Sequence, residues 1–229
     1  MSVSRLLWTT VVALVAFNVA RGLGLFGSVA DWIELVLAVV LAGVALRGTL
    51  SRQDLGLERQ RIRSGLMWGG AVFGIVLVVV LAAALIPATS DFLRDDRANV
   101  SAGELLVELV IGIGLLTVIP EELLFRGVLL GTTMKQWGLR AGVAFSSALF
   151  GLWHVFPTLS TAGGNEQFAQ AETSTLGQLG LVVGAVIATG TAGLIFSWLR
   201  VRSGSLLAPM IAHLSTNGVA LTVAWIVAF

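Results

Sequence analysis

Leu105-Leu-Val-Glu-Leu-Val-Ile-Gly-Ile-Gly-Leu-Leu-Thr-Val-Ile119 runs directly into Pro120-Glu121-Glu122-Leu-Leu-Phe-Arg126-Gly127. The first part is apolar and interrupted only by Glu108, two glycines and Thr117; the second sets two adjacent carboxylates and an arginine at its end. Ionisable groups at membrane depth are expensive, so they persist where they face a bundle interior or a water-filled cavity. On a helix Glu122 and Arg126 stand at i and i+4 with the acid first, the better orientation for an ion pair. Glu121 is turned about 100° away from Glu122 and need not share that partner. One glutamate can clamp the structure while its neighbour stays free for chemistry. Pro120 cannot donate to the carbonyl of Leu116, which predicts an unpaired acceptor and a kink just before the pair.

Working outward, the whole chain has the composition of that stretch. Its 229 residues are 56% hydrophobic and 12% charged, with a mean hydropathy of +0.93, whereas a soluble domain carries about 25% charge. This is the signature of one integral-membrane domain spanning residues 1–229, and the expected fold class is all-α: a polytopic transmembrane helical bundle with about seven or eight membrane helices. A net charge of +1 and the lack of a basic stripe with interleaved aromatics argue against a nucleic-acid partner. The absence of cysteine excludes disulfides, thiol catalysis and cysteine-ligated metals. Any histidine chemistry must use His154 and His213, the two present.

Apolar runs predict spans over residues 6–20, 32–46, 66–86, 104–131, 141–156, 179–199 and 206–229. The first resembles a signal peptide but has no clear small-x-small cleavage site, and is read as an uncleaved span. Residues 47–63 carry Arg47, Arg52, Arg59, Arg61 and Arg63 and predict a solvated loop on anionic headgroups. Residues 89–101 read as a polar surface loop, 132–140 as a short polar hinge, and 157–177 as a loop without Lys or Arg. Gly180, Gly184, Ala188 and Ala192 form a four-residue ladder that predicts close approach of another helix. The positive-inside rule puts the basic loops and the N-terminus in the cytoplasm. One Lys against thirteen Arg hints at a GC-rich prokaryotic genome.

Two more polar pairs stand at i and i+4. Phe150-Gly-Leu-Trp-His154 lets Phe150 shield the imidazole, and His213-Leu-Ser-Thr-Asn217 aims an imidazole and a carboxamide into one space. Each alone is ordinary helix–helix glue. Depth says that they converge. Back from a turn near Trp137, Glu121 lies about 16 residues, or on the order of 24 Å, up one helix, and His154 about as far along the next. His213 becomes level if that hairpin protrudes roughly 10 Å. The parts suit hydrolysis: a glutamate can take a proton from water, a histidine can orient that water or bind a metal, and a histidine with an asparagine can donate to an oxyanion.

In order, Glu121-Glu122-x-x-x-Arg126, Phe150-x-x-x-His154 and His213-x-x-x-Asn217 resemble the motifs of the CAAX-protease and bacteriocin-processing (CPBP, or Abi) family, as does Arg202-Ser-Gly-Ser-Leu-Leu before the last. The resemblance covers roughly residues 104–217, the expected catalytic core. It implies an intramembrane endopeptidase that hydrolyses a peptide bond of a prenylated or other membrane-associated protein or peptide. Glu121 would be the base and His154 would help activate the water. His213 and Asn217 would stabilise the oxyanion, and Glu122 and Arg126 would shape the site. The family is also described as metalloproteases. A divalent metal such as zinc, with Glu121, His154 and His213 as candidate ligands, and a metal-free mechanism both fit these residues. No His-Glu-x-x-His, no aspartate within a span and no Gly-x-Ser-x-Gly points to another intramembrane protease. Two rivals remain. A non-catalytic scaffold, regulator or bacteriocin-immunity protein of the same family has no need of oxyanion donors. A proton-coupled transporter would call for matching halves, and none is visible.

Overall fold

The computed structural model describes residues 1–86, 89, 98–161 and 174–228. Among them seven helices are long and apolar enough to cross a membrane, and no strand occurs. The protein is an integral, multi-pass helical bundle. Its elements are α1 (Val3–Gly22), α2 (Ala30–Leu46), the short α3 (Arg52–Leu55), α4 (Ile62–Leu85), α5 (Ala102–Trp137), α6 (Leu139–Trp153), α7 (Val155–Thr161), α8 (Thr175–Ser203) and α9 (Leu207–Ala228). The expected loop tips at residues 90–97 and 162–173 lie outside the described residues.

Helix α5 is the axis. It starts on a capping box, in which Ser101 and Glu104 satisfy each other's backbone donors, and it touches α1, α2, α3, α6, α8 and α9. It is not a uniform α-helix. Glu108–Val118 and Leu123–Leu129 are π-helical and flank a single α-helical turn, Ile119–Glu122. The amide of Ile119 bonds to the carbonyl of Gly114, and the Thr117 hydroxyl donates to the carbonyl of Gly112, 3.0 Å away. Both reach five residues back. The proline therefore sits where one hydrogen-bond register gives way to another, and wide turns of this kind recur at functional sites.

The hinge expected over residues 132–140 is a single residue. α5 continues to Trp137, and Gly138 turns the chain at φ 82°, a left-handed value that suits glycine. Thr132 and Thr133, read from sequence as polar hinge, are fully buried; their hydroxyls donate to carbonyls of their own helix, Thr132 to Val128 and Thr133 to Leu129. The fifth span runs over Leu139–Leu159, past its expected end, with a break inside it. α6 stops at Trp153, His154 is its C-terminal cap residue, and residues 155–161 form α7 rather than the start of a loop.

The arginine-rich connection over residues 47–63 is more than a solvated loop. Ser51 and Asp54 form a capping box on α3, and Gly56 closes it at φ 74°. Leu50 and Leu55 are buried, and the carbonyl of Asp54 lies so close to Gly131 that a Cβ there would meet it at 2.9 Å. Arg200 at the end of α8 locks this plug in place, donating through Nη2 to the carbonyls of Gln53 and Asp54 (2.8 and 2.9 Å).

Of the small-residue ladder, Ala192 packs against the core and, among the described residues, the other three positions do not. Gly180, Gly184 and Ala188 face outward, and a Cβ on either glycine would meet nothing within 4 Å. The close approach of α8 to α6 uses a neighbouring face. A Cβ on Gly151 would meet the carbonyl of Val186 at 2.7 Å and backbone atoms of Gly190 at 3.3 Å. Glycine there lets two backbones touch.

Candidate active site

The single α-helical turn of α5 carries Glu121 and Glu122 into the middle of the bundle, where both side chains and that of Arg126 are buried. Glu122 is held twice through Oε1. Arg126 Nη1 donates to it over 2.9 Å, and His213 Nδ1, from α9, lies at the same distance. A carboxylate already paired with a guanidinium acts as acceptor, so His213 carries its proton on Nδ1 and presents Nε2. That Nε2 lies 3.9 Å from Glu121 Oε2. Among the described residues Arg126 pairs with no second carboxylate, and its Nε and Nη2 are buried without a hydrogen-bond partner. Its guanidinium lies over the Phe150 ring, 3.8 Å from the centroid, and 5.0 Å from that of Phe196, where the ring faces attract the cation. Phe196 in turn stacks on His213, with centroids 5.2 Å apart.

Glu121 differs from its neighbour in one respect that matters. Trp153 Nε1 donates to its Oε1 over 3.1 Å, and among the described residues its Oε2, like that of Glu122, is buried with no hydrogen-bond partner. The bound oxygen of Glu122 is spent on a cation and an imidazole, whereas that of Glu121 meets only a neutral indole, and its Oε2 faces His213 Nε2. Trp153 is itself positioned by Asn18 of α1, which donates to the Trp153 carbonyl (2.8 Å), and by stacking on Phe17, with centroids 5.8 Å apart.

Four of the six sequence-predicted residues, Glu121, Glu122, Arg126 and His213, therefore meet directly. The other two stand at the rim. His154 is half-buried. Its Nδ1 lies 2.8 Å from the Phe150 carbonyl, so it donates there and leaves Nε2 as the free nitrogen, with its ring edge-on to Phe150 at 4.7 Å. Phe150 shields the imidazole, as its spacing predicts, and separates it from His213, whose centroid is 5.9 Å from that of Phe150. Asn217 is half-buried one turn beyond His213 and makes no side-chain hydrogen bond among the described residues. The two histidines share one design: each is fixed through Nδ1 and offers Nε2.

The metal expectation can be tested on the donor set. Among the described residues no three His, Asp or Glu side chains converge as metal ligands. His154 lies outside hydrogen-bonding reach of the two glutamates, and His213 Nδ1 is committed to Glu122. The residues in this arrangement do not fit a three-ligand zinc site.

With this geometry in view, the comparison with protein families is decisive. The family model for type II CAAX prenyl endopeptidases, Rce1-like, matches residues 103–219, just over half of the chain. The chain belongs to the Rce1-like family. That makes it a member of a family of membrane-embedded CAAX-type proteases, and all six motif residues fall inside the matched segment. No curated protein and no solved structure matches the chain.

Sequence reasoning missed two parts of this Rce1-like site. Trp153 lies inside the Phe150–His154 motif, but nothing in the spacing marks its indole as a donor. The second is a buried acid on α2. Glu34 is 1% exposed and pairs with Arg21 over 2.9 Å, while Arg21 also holds Asp31 at 2.7 Å. Glu34 belongs to α2, which packs on the α5 turn that carries Glu121. A charged residue within the apolar run 32–46 was the available signal.

Proposed function

We propose that this protein is an intramembrane endopeptidase in which Glu121 activates the hydrolytic water. The observation that carries this reading is the asymmetry of the glutamate pair: Glu122 is locked through Oε1 by the Arg126 cation and by His213, whereas the Oε1 of Glu121 meets only the neutral indole of Trp153 and its Oε2 faces His213 Nε2. Glu121 Oε2 and His213 Nε2 are 3.9 Å apart, so one water oxygen can lie about 2.8 Å from both.

In the reaction, the water oxygen bonds to the scissile carbonyl carbon while its proton passes to Glu121 Oε2. The resulting oxyanion accepts from Asn217 Nδ2, while His213 keeps its proton on Nδ1 and its Nε2 accepts from the hydroxyl that the water has become. Collapse breaks the C–N bond, and Glu121 returns the proton to the leaving amine. His154, whose free Nε2 can only accept when the ring is neutral, orients the incoming water. Glu122 and Arg126 are positioning residues: they hold His213 and touch no reacting atom. The substrate is a prenylated or other membrane-associated peptide or protein, entering from the arginine-rich side. By the positive-inside rule that side is cytoplasmic, here of a prokaryotic plasma membrane.

The test is cleavage of a quenched prenylated CAAX peptide by purified protein in detergent, with and without a zinc chelator. The reading expects cleavage that the chelator leaves unchanged. Chelator-sensitive cleavage restored by zinc would replace the metal-free mechanism. Absence of cleavage, on this peptide and on a panel of membrane-associated peptides, would bring forward the non-catalytic scaffold of the same family.

A further inference from the structure

At the arginine-rich end of the bundle, well away from Glu121, a half-open cavity of about 540 Å³ lies between the 47–63 connection, the end of α5 and the end of α8. Its charged lining is Arg61, Lys135, Arg200 and Arg202 against Asp54 and Glu58, four cations to two carboxylates. Of the cations, Lys135 is spent: its Nζ pairs with Asp54 at 2.7 Å. Arg200 is buried, with Nη2 on backbone carbonyls and Nε unpartnered. Arg61 and Arg202 are exposed and have no ion-pair partner among the described residues. The plug thus uses Lys135 to neutralise Asp54, and the rest of the lining sets three arginines, two of them without an ion-pair partner among the described residues, against Glu58. Arginine's planar fork suits phosphate oxygens.

We propose that this cavity binds the phosphate of an anionic phospholipid headgroup. Its surroundings favour a lipid over a soluble phosphate. Arg202 lies over the ring of Trp68, 5.8 Å from its centroid, and Trp68 meets Trp198 edge-on at 5.3 Å. Trp198, Leu194 and Ile195 are exposed along α8. Tryptophans mark the level of the membrane interface, and the apolar face beside the cavity gives acyl chains a place to lie. Basic pockets between membrane helices are a recurrent headgroup site. Bound there, the lipid would bridge the plug that covers α5 to the end of α8.

The experiment uses the full chain in neutral detergent, with native mass spectrometry to measure binding of dioleoyl-phosphatidylglycerol and dioleoyl-phosphatidylcholine. The double variant Arg61→Gln/Arg202→Gln is compared with a charge-matched control, Arg5→Gln/Arg140→Gln, whose arginines are exposed outside the cavity. Phosphatidylglycerol should bind at least about tenfold more tightly than phosphatidylcholine. The cavity variant should lose about 25-fold, the product of two losses of about fivefold each, with an unchanged melting temperature, and the control should stay within about twofold. Equal losses in both variants, or equal binding of the two lipids, would overturn the site. Displacement of phosphatidylglycerol by an equimolar concentration of inorganic phosphate would overturn the lipid as its occupant.

Discussion

Arg126→Met takes the cation from a carboxylate that has no access to water. Glu122 and Arg126 are both fully buried and 2.9 Å apart. Removing one partner of such a pair strands the other and costs about 3–5 kcal/mol. For a domain of this size that corresponds to a fall in melting temperature of about 6–20 °C. Glu122→Gln strands the guanidinium instead and should cost a similar amount, although glutamine keeps an acceptor for His213 Nδ1. Combining the two leaves no buried charge alone. What the double variant still lacks is the stacking of Arg126 on Phe150 and Phe196, roughly 1–2 kcal/mol. The double variant should therefore be more stable than the sum of the singles predicts by at least about 2 kcal/mol. Thermal unfolding of all four proteins in one detergent measures this directly. Losses that add to within about 0.5 kcal/mol would show that the two groups are not coupled, and would refute the clamp.

Trp153→Phe keeps the aromatic packing but removes the donor to Glu121. At about 1.5–3 kcal/mol for a hydrogen bond to a charged group, kcat should fall roughly 10- to 100-fold with KM nearly unchanged, as steady-state cleavage would show. Asn217→Ala removes the proposed oxyanion donor, so kcat should drop by about 10²–10³ while thermal unfolding stays close to wild type. Gly151→Val drives a side chain into the backbone of Val186 and Gly190 and should destabilise by at least about 1–3 kcal/mol. Gly180→Ala, on the open face of the same α8, should stay within about 0.5 kcal/mol; equal effects at the two positions would contradict the packing described here.

The sequence made the polar core legible because charge inside an apolar run has few explanations. The i, i+4 spacing of Glu122 and Arg126 survives in the fold as an ion pair, and the rotation between adjacent glutamates does separate their partners. The helix count followed from apolar length alone. Local departures were harder to see. In residues 108–118 almost every side chain is apolar, so no periodicity distinguishes an α turn from a π turn, and the wide turns of α5 leave no trace in the sequence. Of the ladder Gly180–Ala192 only Ala192 packs inward among the described residues, because smallness does not say which side a partner approaches. Thr132 and Thr133 looked like a solvated hinge, yet threonine hydroxyls can satisfy themselves on their own helix carbonyls and be buried. Glu34 was overlooked as a single acid near a helix start, although its burial against Arg21 makes it part of the interior.

The central claim is that Glu121 takes the proton from water, and Glu121→Gln tests it most directly. Glutamine preserves the size of the side chain and an oxygen to accept from Trp153, so the variant should unfold at nearly the wild-type temperature. Its rate of cleavage of the quenched prenylated peptide, measured beside wild type at saturating substrate, should fall by roughly 10²–10⁴, the range for loss of a general base. A folded Glu121→Gln protein that cleaves at the wild-type rate would contradict the assignment and place the chemistry elsewhere in the bundle.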